Sequence, residues 1–126
     1  MSTLKVNNIG KTSGSTQDTM QGLARSWYAI DGSGTASVLD SLNTTSFVDN
    51  GQGDFTVTRT TAFDSTSYAV GSQSDFDGSD SRVVTVTSYH SQTARTTTVM
   101  RHALQDTSAN GHDPDNFSAI LLGDLA

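Results

Sequence analysis

The chain reads as all-β: an antiparallel β-sandwich, jelly-roll-like or immunoglobulin-like, with a short N-terminal arm and minimal helix. Three observations predict this. Short runs of β-branched and aromatic residues recur along the chain, several with strict period-two alternation. Clusters of Gly, Asn, Asp and Ser separate them, as turns require. The composition is also wrong for helices. Of 126 residues, 18 are Ser and 19 are Thr, while all 13 acidic residues are Asp and only 16% are charged. The Ala/Glu/Lys/Leu blocks of bundles and coiled coils are missing.

Each element follows from local chemistry. Ser26-Trp27-Tyr28-Ala29-Ile30 is the first run, closed by the turn cluster Asp31-Gly32-Ser33-Gly34. Thr35 to Asn43 alternates and predicts a strand with an irregular end, and Ser46-Phe47-Val48 predicts a short one. Asp49-Asn50-Gly51-Gln52-Gly53 is a hairpin signal, because Asn-Gly supplies the positive φ of tight turns. In Asp54 to Thr60, Phe55 and Val57 share one face, and Thr56 and Thr58 the other. Ser67 to Gln73 predicts a strand with Tyr68 and Val70 on one side, and Asp75 to Ser81 a polar loop.

Arg82 to His90 predicts a long strand and Thr93 to His102 another, the latter carrying Val99 and Met100 after a Thr run. Ala109 to Asn116, with the lone Pro114, reads as a loop. Phe117-Ser118-Ala119-Ile120-Leu121-Leu122 suits a central buried strand. The one helix candidate is Ser15 to Leu23, capped by Ser15 or Thr16. Organisation breaks near Gly22. Residues 1–21 form a polar arm whose strand-like piece presents Leu4, Val6 and Ile9, and residues 22–126 form the sandwich head.

Charge and chemistry exclude several functions. The net charge of −6 and seven scattered basic residues argue against nucleic-acid binding, which needs clustered Lys and Arg. No apolar run is long enough for membrane insertion, and the N-terminus has no signal-peptide h-region. Without Cys there is no disulfide, thiolate metal site or thiol nucleophile. An apolar content of 33% promises a small core, for which oligomerisation is a standard remedy.

Each candidate site has a plainer role beside it. Asp75, Asp77 and Asp80 around Gly78 resemble the opening of a calcium loop, but no Glu closes it. The segment is expected to be a solvated hairpin loop. His90, His102 and His112 lack metal-ligand spacing, so each is expected at a surface or interface; only a three-fold oligomer would gather three copies of one. Nothing selects a glycosidase pair among the Asp residues, and no Gly-x-Ser-x-Gly elbow or phosphate loop exists. No enzyme, catalytic residue, metal or cofactor is expected. Trp27, Tyr28, Tyr68 and Tyr89 would suit a sugar-stacking platform, with core packing as the plainer role.

One resemblance is specific in its order. Gly22-Leu-Ala-Arg-Ser-Trp27-Tyr-Ala-Ile-Asp31-Gly-Ser-Gly34-Thr resembles a segment of tail-fibre-like virion proteins of tailed bacteriophages, of marine and cyanobacterial type. The match continues through Asp40-Ser-Leu-Asn43, Ser46-Phe-Val-Asp49-Asn50-Gly51, Gly53-Asp54-Phe-Thr56-Val57 and Ser67-Tyr68-Ala69-Val70. Ser2-Thr-Leu4-Lys-Val6-Asn-Asn-Ile9 resembles their attachment segment, and Phe117 to Gly123 their closing strand. The shaft repeats of longer members are absent, and Ser72 to Asn116 follows no pattern of the group.

The resemblance implies a non-enzymatic virion structural protein assembled in the host cytoplasm. It implies a homotrimeric short tail fibre or receptor-binding head, docked on other virion proteins through Leu4, Val6 and Ile9. Loops carrying Asp75, Asp77, Asp80, Gln92, Asn110, His112 and Asp113 would face a host-surface glycan or protein. The alternatives are a capsid decoration or cement protein and a small carbohydrate-binding module.

Overall fold

The computed structural model describes residues 24–75 and 95–126, together with the backbone of residues 85–88. Eight strands form two four-stranded antiparallel sheets. In chain order they are β1 (Ser26–Asp31), β2 (Ser37–Leu42), β3 (Ser46–Gly51), β4 (Asp54–Thr58), β5 (Ala69–Asp75), β6 (Thr85–Ser88), β7 (Val99–Gln105) and β8 (Asn116–Leu122). The first sheet runs β2-β1-β8-β5, the second β3-β4-β7-β6. No helix occurs among the described residues. The expected arm, with Leu4, Val6 and Ile9, and the candidate helix at Ser15 to Leu23 lie outside them.

Period-two alternation builds the core. Tyr28 and Ile30 of β1, and Phe117, Ala119 and Leu121 of β8, turn inward from the first sheet. Phe55 and Val57 of β4, and Met100 and Leu104 of β7, meet them from the second. Phe63 and Tyr68, on the crossing from β4 to β5, pack ring to ring at 4.7 Å. The last run does become a central strand, lying between β1 and β5, but it is buried on one face only: Ile120 is exposed.

Several expected boundaries shift for local reasons. β3 runs on to Gly51, three residues past Val48, because pairing with β4 continues through the hairpin. The strand expected over Thr93 to His102 begins only at Val99 and ends at Gln105. Its Thr run forms a turn instead. The Thr96 hydroxyl accepts from the Val99 amide at 2.8 Å and the Thr98 amide at 3.2 Å, a local alternative to the ladder that Thr side chains offer. Of the strand expected over Arg82 to His90, residues 85–88 are described, paired with β7.

A tight junction joins the β3–β4 hairpin to the β7–β8 loop. Gly53 has φ +68°, and a Cβ there would lie 2.4 Å from the Leu104 carbonyl oxygen and 2.6 Å from the His112 nitrogen, so only glycine fits. Gly53 accepts from the Leu104 amide at 2.7 Å and donates to Asp113 Oδ1 at 2.7 Å. Gly71 is the contrast: it has ordinary φ and open space where a Cβ would go. Gly53→Ala should therefore cost about 2–4 kcal/mol in urea unfolding, whereas Gly71→Ala should stay within ~0.5 kcal/mol of the parent.

Candidate functional site

The two outer faces differ in kind. On the second sheet, Asp54 and Arg101 form a two-point ion pair, Nε to Oδ1 at 2.7 Å and Nη2 to Oδ2 at 2.5 Å. Asn50 donates to Asp54 and Thr56, so among the described side chains this surface is polar and internally bonded, with Val48 its exposed apolar residue. The Arg101 guanidinium holds the Asp54 carboxyl below its ordinary range.

The first sheet's outer face is apolar along one line. Trp27 on β1 faces Leu42 on β2 and Ile120 on β8, and Ile120 faces Gly71 on β5. Leu42 is 47% exposed and Ile120 51% exposed. Trp27 is half-buried between them. Since Gly71 has no side chain, the row ends in a shallow groove of about 220 Å³ lined by Gly71, Ser72, Gln73, Ser118 and Ile120. The next row along pairs Ala29 with Asp40 and Ser118, and Ser118 with Gln73. The row borders β5, an edge strand carrying neither Lys nor Pro to discourage pairing.

The aromatic platform is not assembled. Tyr28 and Tyr68 are core residues, 1% and 3% exposed, and of the three described residues only Trp27 reaches the outer face. Strand alternation is the reason, because Trp27 and Tyr28 are neighbours and must point to opposite sides. Tyr89 lies outside the described residues.

His102 corrects a second expectation. Anticipated at a surface or interface, it is 1% exposed in the core of the sandwich. Its Nε2 bonds the Tyr28 hydroxyl, and its ring meets Phe117 edge-on at 4.8 Å. Burial pushes its pKa down to about 4 and pushes that of Tyr28 up, so both stay neutral in the folded protein at neutral pH.

The expected receptor-facing loop residues separate into two groups. Asp75 is exposed at the end of β5, opposite Asn116 on β8, while Asp77, Asp80 and Gln92 lie outside the described residues. Asn110 and His112 come together on Asp106 in one clasp of the β7–β8 loop, while Asp113 accepts from the Gly53 amide of the β3–β4 hairpin. Asp106 accepts from the Ser108 and Asn110 amides, from Asn110 Nδ2 and from His112 Nε2 at 3.0 Å. These bonds hold its carboxyl well below the usual range, the His112 bond contributing most. Asp106, which organises the loop, was not singled out in the sequence; Asp at the head of a Thr-Ser-Ala-Asn turn is the signal that marks it.

Among the described residues no group of three His, Cys, Asp or Glu side chains is placed to hold a metal ion, and no helix is long and apolar enough to cross a membrane. A scan against family models and searches of curated proteins and of solved structures returned no match.

Two outcomes follow from this geometry. Between its folded pKa near 4 and its ordinary value of 6.5, His102 binds more protons unfolded than folded. Its contribution to stability is therefore complete above about pH 6.5, falls as the pH drops towards 4, and amounts to roughly 3 kcal/mol. Urea midpoints measured across that window should fall accordingly, while His102→Gln should be flat. Asp106 acts lower, its contribution being present above 3.8 and lost as the pH falls further. Asp106→Ala should speed amide exchange at Ser108, Asn110 and His112 and leave exchange in β1 and β8 unchanged.

Proposed function

We propose that this chain is a non-enzymatic structural protein of a phage virion, a short fibre-like head that docks through residues 1–21 and associates with copies of itself. The sequence resemblance supports the virion assignment, and the sandwich beginning immediately after the arm suits a compact head. The observation that carries the associative part is the Leu42–Trp27–Ile120 row. It is an exposed apolar line on one sheet face of a protein whose other face is polar and self-bonded. With a net charge of −6, copies repel over most of their surface. The row itself is uncharged, so copies can meet there without placing like charges together. The described loops at the β7–β8 end, stiffened by the Asp106 clasp, then serve as a rigid display for a host-surface partner.

The assignment is tested on particles made by the genome that encodes the chain. Gold-labelled antibody against the head should mark a few sites at the tail. Label over the whole capsid favours a decoration role, and unlabelled particles reject the virion reading. For association, Ile120→Asp should reduce sedimentation mass at micromolar concentration with unchanged circular dichroism, because the side chain it replaces is exposed. A parent protein that sediments as a monomer removes the role given to the row.

A further inference from the structure

Asparagine precedes glycine twice in the chain, at Asn50-Gly51 and at Asn110-Gly111. This dipeptide carries its own chemistry. The glycine has no side chain to block approach, so its amide nitrogen can attack the asparagine side-chain carbon Cγ and close a five-membered imide. Closure has a geometric condition. The main chain and the side chain of the asparagine must both rotate until the glycine nitrogen meets Cγ. Both asparagines are exposed. Accessibility therefore does not separate them, and their local bonding and packing must.

Asn110 is locked. Its amide donates to Asp106 Oδ1 at 3.0 Å, its carbonyl oxygen accepts from the Asp106 amide at 3.0 Å, and its Nδ2 donates to Asp106 Oδ2 at 3.1 Å. Gly111 is wedged against the β3–β4 hairpin, where a Cβ would run into the Gln52 carbonyl. Rotation at Asn110 breaks the clasp, and Gly111 has no room to follow.

Asn50 sits differently. β3 and β4 pair Asp49 with Phe55 and Gly51 with Asp54, so Asn50 is the extra residue of a bulge, with no β4 residue opposite it. Gly51 has φ +130° and open space where a Cβ would go. Its amide donates to Asp49 Oδ1 at 2.9 Å, in an exposed bond. The Asn50 side chain is held at its nitrogen, which donates to Thr56 Oγ1 at 2.8 Å and to Asp54 Oδ1 at 3.2 Å. These bonds are exposed as well, and exposed bonds are readily exchanged for water.

We propose that Asn50 is a site of spontaneous deamidation in the folded protein, and that the Asp106 clasp protects Asn110 from the same reaction. A base from solvent takes the Gly51 amide proton, and the nitrogen bonds to Asn50 Cγ. The Cγ–Nδ2 bond breaks, and ammonia leaves with a proton from water. A second water opens the imide at either carbonyl, leaving aspartate or isoaspartate at position 50. The new carboxylate then faces Asp54 Oδ1 where a donor had been, with Asp49 beside it, so like charges crowd the Asp54–Arg101 pair. Isoaspartate also lengthens the main chain shortly before Gly53, which bonds the Leu104 amide and Asp113. The reaction needs this chain and water alone and does not rest on the virion assignment.

The test uses the full chain, incubated at neutral pH well below its melting temperature. Trypsin cuts after Arg59 and Arg101 and so places the two asparagines on different peptides. Tandem mass spectrometry locates the acid product, and isoaspartyl methyltransferase detects its isoaspartate form. Product should accumulate at position 50 about tenfold or more faster than at position 110, where the clasp must open first. In urea the two rates should come within about twofold, because local sequence alone then acts. Asp106→Ala should raise the rate at position 110 severalfold and leave position 50 unchanged. Asn50→Gln, which keeps an amide donor, should lose the fast product. Equal rates at the two positions of the folded chain, a faster position 110, no product at position 50, or a position 110 that stays slow in Asp106→Ala each overturn the proposal.

Discussion

The molecule depends on one contact between its two halves, the bond from Tyr28 of the first sheet to His102 of the second. Two sheets with few large aliphatic residues have little apolar surface to press together. Here the middle of the sandwich is filled by rings instead. Phe117 packs against both Tyr28 and His102, and Phe55 stacks on Phe47 at 5.7 Å. Rings bury much area per residue, so a handful can close a small core. The cost is that two of them are polar, and they must satisfy each other. A neutral imidazole and a neutral phenol meet through Nε2, leaving Nδ1 without a partner, and the bond ties sheet-to-sheet registry to the protonation state of one histidine.

The Arg59–Tyr68–Arg95 stack has the same character at the edge. Where a larger protein would place Leu or Ile, this chain lays guanidinium planes on a tyrosine ring and ties them to the Thr96–Thr97 turn and the approach to β5. The turn displaces the strand start to Val99, and it also supplies the carbonyls that receive Arg59. Local Thr chemistry and burial of a charge are thus solved together.

Much of the fold was legible in residue alternation. Phe55/Val57 against Thr56/Thr58, and Tyr28/Ile30 against Trp27/Ala29, each determine which side meets the core, and the Asn-Gly hairpin marks its own turn. The strand order was not legible, because pairing partners far apart in the chain leave no local trace. His102 was legible and was missed. Met100, His102 and Leu104 alternate at period two, so the inner face of β7 follows from its apolar neighbours, and the histidine goes with them. Apart from Asp106, the bonding inside the β7–β8 loop left no trace in the residue pattern. Asn110, His112 and Asp113 bond within the chain, and only the loop's path reveals it.

The placement of the aromatic residues divides the protein's optical signals. The sole tryptophan lies on the outer sheet face, half-covered by Leu42 and Ile120. Tyr28 and Tyr68 are enclosed between the sheets. Indole emission therefore reports whatever covers that face, while near-ultraviolet dichroism from Tyr28 and Tyr68 reports the interior, and the two spectra separate assembly from unfolding in a single cuvette.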